Sequence, residues 1–96
     1  MNTAAIRWCV LIPCLNEEAA IQSVVESVLA LGAPVIVIDD GSDDRTPEII
    51  TSLPVTLLRH DERCDKGEAL RRGFREALRQ GFDGREIGRA SCRERV

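Results

Sequence analysis

Two segments of this chain bring together residue types that could do chemistry. Val37 to Thr46 reads VIDDGSDDRT, an apolar run that ends in two carboxylates and a Gly-Ser turn. Acids so placed lie at the carboxyl end of a buried strand, which is where open α/β sheets bind ligands. A carboxylate there, Asp40, can accept a hydrogen bond from the ring N–H of uracil or guanine in a site that excludes water. Val10 to Glu18 reads VLIPCLNEE, a second apolar run that breaks at Pro13 and delivers Asn16, Glu17 and Glu18 to another strand-to-helix turn. Two such turns side by side form a pocket rim. Lys66-Gly67 opens a helix, where free backbone N–H groups and a cation can hold phosphate oxygens. Asp39, Asp43 and Asp44 are adequately explained by capping and by complementing a helix dipole.

The elements that position these residues follow from periodicity. Trp8 to Pro13 is a near-continuous apolar run of strand length, as expected of a parallel strand covered on both faces. Asn16 suits an N-cap, with Glu17 and Glu18 in the first turn, and Ile21, Val24, Val25, Val28 and Leu29 repeat at helical spacing until Gly32 and Pro34. Val35 to Ile38 is a second strand, followed by a short helix with Thr46 as cap and Pro47 at its first position. Val55 to Leu58 is a third strand. Lys66 to Gln80 is a third helix with an apolar stripe of Ala69, Leu70, Gly73, Phe74, Ala77 and Leu78. Its Arg71, Arg72, Arg75 and Arg79 read as a solvated face. The order βαβαβα with right-handed crossovers predicts a three-stranded parallel sheet ordered 3-2-1.

Composition narrows the function classes. At 96 residues the chain is one small domain at most, burying only about 60 to 65% of the surface it exposes when unfolded. Its formal charge of −3 makes it a poor candidate for non-specific nucleic-acid binding. Cys9, Cys14, Cys64 and Cys92 form no CxxC pair and read as reduced thiols of a cytoplasmic protein, with Cys14 a buried structural thiol rather than a nucleophile partnered by His60. No signal peptide or transmembrane segment is legible. Glu86 to Val96, EIGRASCRERV, has no apolar period and resembles the translation of a sequencing-library adapter. It is therefore expected to pack on nothing, leaving residues 1–85 as the domain.

Three ordered blocks carry a resemblance to a known family: Pro13-Cys14-Leu15-Asn16-Glu17, Ile38 to Thr46, and Asp65-Lys66-Gly67-Glu68-Ala69-Leu70 with Arg72-Gly73-Phe74. Across residues 7 to 84 the chain resembles the family 2 glycosyltransferases of the GT-A fold, whose amino-terminal half carries PxxNE, V-D-D-G-S-x-D-x-T and N-x-G-K-G-x-A-x-x-x-G segments. The resemblance implies an α/β, Rossmann-like nucleotide-binding half. It implies that Asp40 contacts the base, that Pro13, Leu15 and Glu17 line the nucleotide site, and that Lys66 faces the diphosphate. Leu15 stands where many relatives carry an aromatic ring, so base stacking is weaker here. The family's D-x-D motif, which holds Mg²⁺ or Mn²⁺ on the leaving diphosphate, does not occur in these 96 residues. A truncated transferase is implied, with neither metal ligand nor catalytic base of its own. Its parent would transfer a hexose from a UDP- or GDP-sugar with inversion. The wording of the blocks looks closest to the polyprenyl- or dolichyl-phosphate sugar synthases, which implies a polyprenyl phosphate acceptor at the cytoplasmic membrane face. Three alternatives stand beside it: an inactive fragment that binds nucleotide weakly, a receiver-type signalling domain, and a nucleotidylyltransferase. The receiver places its acidic pair after the first strand, and the nucleotidylyltransferase expects a Gly-rich loop where this chain has PCLNEE.

Overall fold

A computed structural model describes residues 9–60, 66–82 and 87–89. The chain runs β1 (Cys9–Cys14), α1 (Ile21–Leu29), β2 (Val35–Asp39), α2 (Thr46–Thr51), β3 (Thr56–Arg59), α3 (Lys66–Arg79) and β4 (Ile87–Arg89). All pairings are parallel, and the sheet order is β3-β2-β1-β4. The expected 3-2-1 order is present, extended by one short strand. Residues 87–89 lie in the segment expected to pack on nothing, so that expectation is corrected there: Cys9, Val10 and Leu11 stand opposite Ile87, Gly88 and Arg89. Backbone pairing, which needs no apolar period, holds this strand. Residues 90–96, like Cys64, Asp65 and Cys92, lie outside the described residues.

Both central strands are buried along their whole length, as their unbroken apolar runs require. Their side chains alternate between two cores. Val10, Ile12 and Cys14 of β1 and Val35 and Val37 of β2 pack against Ile21, Val24 and Val25 of α1 and Ile50 of α2. Cys9, Leu11, Ile36 and Ile38 face Ala69 and Ala77 of α3. Leu57 of β3 joins the first core and Leu58 the second. Cys9 and Cys14 are thus buried thiols, as expected.

The apolar stripe of α3 divides by size. Ala69, Gly73 and Ala77 are buried, whereas Phe74 and Leu78 are exposed by 39% and 46%. Small residues at this spacing let the helix sit close to the sheet. A Cβ on Gly73 would lie 2.6 Å from Cδ1 and 3.0 Å from Cγ1 of the fully buried Ile38. Gly73→Val is therefore expected to destabilise the fold by about 2 kcal/mol through overpacking. Gly73→Ala should cost less, because leaving glycine recovers up to about 1 kcal/mol of helix propensity. Urea denaturation of both variants checks the order; a Gly73→Val midpoint equal to wild type would contradict the close approach.

On the outer side of α3, Arg71 and Arg72 pair with Glu68, and Arg79 with Glu76, as a solvated face predicts. Hydrogen bonds from Arg79 and Gln80 hold the Glu76 carboxyl well below its ordinary value, at about 2. A depressed carboxyl contributes its pairing above the unfolded pKa of 4.5 and loses it as pH falls through the folded value. A carboxyl-carbon NMR titration should accordingly place the Glu76 midpoint near 2, and a midpoint near 4.5 would show that Arg79 does not engage it in solution.

Candidate nucleotide site

The two turns expected to form a rim are laced together. Five hydrogen bonds cross between the segment after β1 and the segment after β2. The N–H groups of Asn16, Glu17 and Glu18 donate to Ser42 Oγ (2.8 Å), Thr46 Oγ1 (2.9 Å) and Asp44 Oδ2 (3.2 Å). In return, Asp43 N–H donates to Asn16 Oδ1 and Arg45 N–H to Glu18 Oε1, both at 2.8 Å. This lacing corrects the expected helix start. Asn16 is not an N-cap; it adopts φ of 52°, and α1 begins only at Ile21 after Ala20. The positive φ takes Asn16 out of the helical region, and a turn in which the Glu17 carbonyl accepts from the Ala20 and Ile21 N–H groups leads into α1, so neither glutamate lies in the first turn of that helix. Thr46 likewise starts α2 rather than capping it, with Arg45 at the cap position and Pro47 next. The carboxylate that accepts from the Thr46 N–H belongs to Asp44, at 2.9 Å. Burial works against charging Asp44, but hydrogen bonds from Thr46 and from the Glu18 N–H outweigh it and hold its pKa below the ordinary value. Capping thus rests on Asp44 where sequence had grouped it with Asp39 and Asp43.

The adjacent acids Asp39 and Asp40 part to opposite faces of the sheet. Asp39, fully buried, follows the α1/α2 side: its Oδ1 accepts from the Ser42 N–H (3.2 Å) and the Ser42 hydroxyl, and its Oδ2 lies 3.5 Å from Arg59 Nε. Arg59 also reaches the Ser42 carbonyl. These contacts make Asp39 a structural anchor, in line with the sequence reading. Asp40 lies on the α3 side, with its Oδ1 3.4 Å from Nδ1 of the buried His60. Main-chain bonds carry the sheet one residue past its strands, from Asp40 N–H to the Cys14 carbonyl (3.0 Å) and from His60 N–H to the Asp39 carbonyl (2.9 Å).

Of the other expected site residues, Pro13, Leu15 and Glu17 lie at the carboxyl end of β1 and in the turn after it. Pro13 is opposite Ile38, and β4 extends only to Leu11 opposite Arg89, so the missing N–H of Pro13 interrupts no described ladder bond. Leu15 and Glu17 are half-buried in the turn that follows. Lys66 is the first residue of α3, which packs on β1 and β2 and begins beyond β3; its side chain lies outside the described atoms. A groove of about 510 Å³ runs from Arg59 and His60 along Leu57, Leu58, Arg72 and Arg75. Sequence reading missed His60 as a neighbour of Asp40. The signal was the parallel register, Asp39 opposite Arg59, which makes their successors neighbours.

Comparison with known proteins settles the family. The model of glycosyl transferase family 2 matches residues 9–80, from the first residue of β1 to just past α3. The chain belongs to glycosyl transferase family 2. As a family 2 chain it is 38% identical over 89 residues to the glycosyltransferase AglD of Haloferax volcanii, covering 79% of this chain and 14% of that protein. It is 32% identical over 74 residues to an uncharacterized protein of Methanocaldococcus jannaschii, covering 71% of this chain and 32% of that protein. The chain therefore spans a third or less of the curated relatives it matches. No solved structure gives a significant match. Membership agrees with the expected Rossmann-like α/β architecture and sets aside the receiver and nucleotidylyltransferase alternatives.

The family generally uses a divalent cation. Among the described residues no cluster of three or more His, Cys, Asp or Glu side chains is placed to hold a metal ion. The acids at the rim have other work, with Asp39 on Ser42 and Asp44 on Thr46. These described residues do not fit a metal. Among the described residues no helix is long and apolar enough to cross a membrane.

Proposed function

We propose that residues 1–85 form the nucleotide-binding part of a longer glycosyltransferase that takes a UDP- or GDP-sugar as donor. What carries the reading is the position of Asp40, at the carboxyl end of β2 and beside the turn that holds Pro13, Leu15 and Glu17. Asp40 accepts the ring N–H of the base, N3–H of uracil or N1–H of guanine, a charge-assisted bond with a partner largely withdrawn from water. Pro13, Leu15 and Glu17 bound the base and ribose, and Lys66 with the opening N–H groups of α3 takes the diphosphate. In this reading residues 86–96 stand outside the domain, since a three-residue backbone pairing such as that of Ile87–Arg89 asks little of its side chains.

The whole transferase would pass a hexose to a polyprenyl phosphate with inversion, by in-line displacement at the anomeric carbon, working at the cytoplasmic face of a membrane with Mg²⁺ or Mn²⁺ supplied by residues elsewhere. A phosphate acceptor is already anionic and needs little help from a general base. The relative named as a glycosyltransferase supports transfer as the activity.

Calorimetric titration of UDP and GDP into the 96-residue chain tests the nucleotide assignment. Saturable binding is expected for at least one of them, and it should weaken when the ring N–H of that base, at N3 of uracil or N1 of guanine, is methylated. A chain that binds neither nucleotide, or that is indifferent to methylation, overturns it.

A further inference from the structure

His60 occupies a position that the family match does not explain. It follows β3 where the parallel register continues from Asp39 opposite Arg59, and its N–H donates to the Asp39 carbonyl at 2.9 Å. Arg59 turns to one face of the sheet and reaches Asp39, while His60 turns to the other and meets Asp40. The imidazole is 5% exposed and the Asp40 side chain 13%, with 3.4 Å between Nδ1 and Oδ1. A histidine that merely filled space on this side would be expected to sit beside aliphatic groups such as Leu58 rather than turn a ring nitrogen to a carboxylate. The orientation also fixes the proton. Were Nδ1 bare, its lone pair would oppose those of the carboxylate, whereas an Nδ1–H donates to it.

Resting on the nucleotide reading of the Asp40 site, we infer that His60 is the positioning residue for base recognition. Its Nδ1–H donates to Asp40 Oδ1 and fixes the plane of the carboxylate. The other oxygen, Oδ2, is thereby turned to the ring N–H of the base, N3–H of uracil or N1–H of guanine. An aspartate has a soft terminal torsion, and a hydrogen bond that fixes its plane beforehand spares each bound base part of the cost of ordering it. The 3.4 Å separation is long for a charge-assisted hydrogen bond and shortens when a base engages the other oxygen, as site hydrogen bonds do on ligand binding. His60 touches the base through Asp40 alone and contributes selectivity rather than chemistry.

The test exploits the fact that the chain contains a single histidine, so its imidazole signals need no assignment. Long-range ¹H–¹⁵N spectra of the intact chain should show the Nδ1–H form, with the Nδ1 resonance shifting when the nucleotide that binds, UDP or GDP, is added. An Nε2–H form in the nucleotide-saturated chain overturns the inference. Affinities for that nucleotide and for its counterpart methylated at the same ring nitrogen are then compared across variants. Asp40→Ala should abolish the preference for the unmethylated base. His60→Leu should lower that preference about fivefold with affinity for the methylated nucleotide unchanged, and His60→Asn, whose amide can donate from a similar position, should restore most of it. If Asp40→Ala keeps the wild-type preference, the nucleotide reading itself fails. If Asp40→Ala loses it while His60→Leu keeps it, or His60→Leu weakens both nucleotides equally, only the role of His60 fails. Should His60→Leu not fold, the tautomer in the nucleotide-bound wild type decides.

Discussion

Asp39→Ala is expected to lower the stability of the chain by about 3 kcal/mol, because it leaves two buried donors of Ser42 without an acceptor, at about 1 to 3 kcal/mol each. The Arg59 contact adds little, since that side chain is half exposed. Ser42 Oγ is in turn the acceptor for the Asn16 N–H, so the loss extends across the lacing to the first turn. For a domain of this size the melting temperature should fall by more than about 10 °C. Asp39→Asn keeps an acceptor oxygen for Ser42 and should fall by less than half as much. Thermal melts followed by circular dichroism decide it, and an Asp39→Ala transition within a few degrees of wild type would mean that the Ser42 contacts contribute little.

Its neighbour should behave in the opposite way. Asp40→Ala removes a partner of His60 and the proposed partner of the base, with no laced backbone donor depending on its carboxylate in the hydrogen bonds described. The melting transition should fall by less than half as much as for Asp39→Ala, since the buried His60 Nδ1–H is the donor that loses its acceptor. Affinity for UDP or GDP should fall by roughly ten- to a hundredfold, the value of a hydrogen bond to a charged group. Calorimetric titration provides the readout. Unchanged affinity would make the pair of acids a turn and nothing more. The two substitutions one residue apart thus separate holding the rim from using it, which no single variant could do.

The three helices and first three strands were legible because each is written in its own period, with unbroken apolar runs for strands buried on both faces and i, i+3, i+4 spacing for helices. What failed was decided by tertiary contacts. Asn16, Glu17 and Glu18 have the composition of a helix start, but their N–H groups donate to Ser42, Thr46 and Asp44, residues about 26 to 29 positions away. Ile87–Arg89 carries no strand signal, because a three-residue strand held by its backbone needs none. At the site, the acidic pair at the strand end was legible and its division of labour was half legible: Asp39 reads as structural from its neighbours, but His60 beside Asp40 requires the register of β2 on β3. The stripe on α3 gave the right face and rightly included the buried Ala69, Gly73 and Ala77, but local spacing does not distinguish these small residues that meet the sheet from Phe74 and Leu78 at its margin.

The lacing of the two turns also bears on how such a rim can change. A phosphate-cradling loop keeps its main-chain donors turned outward, so its ligand is specified by the path of the backbone and altering the ligand means rebuilding the loop. Here Asn16, Glu17 and Glu18 have turned theirs inward, onto Ser42, Thr46 and Asp44. Recognition is left to side chains standing on a frame that is already braced. In the nucleotide reading proposed above, an aromatic ring in place of Leu15 leaves that frame as it is, so donor preference would drift by single substitutions while the scaffold stays unchanged.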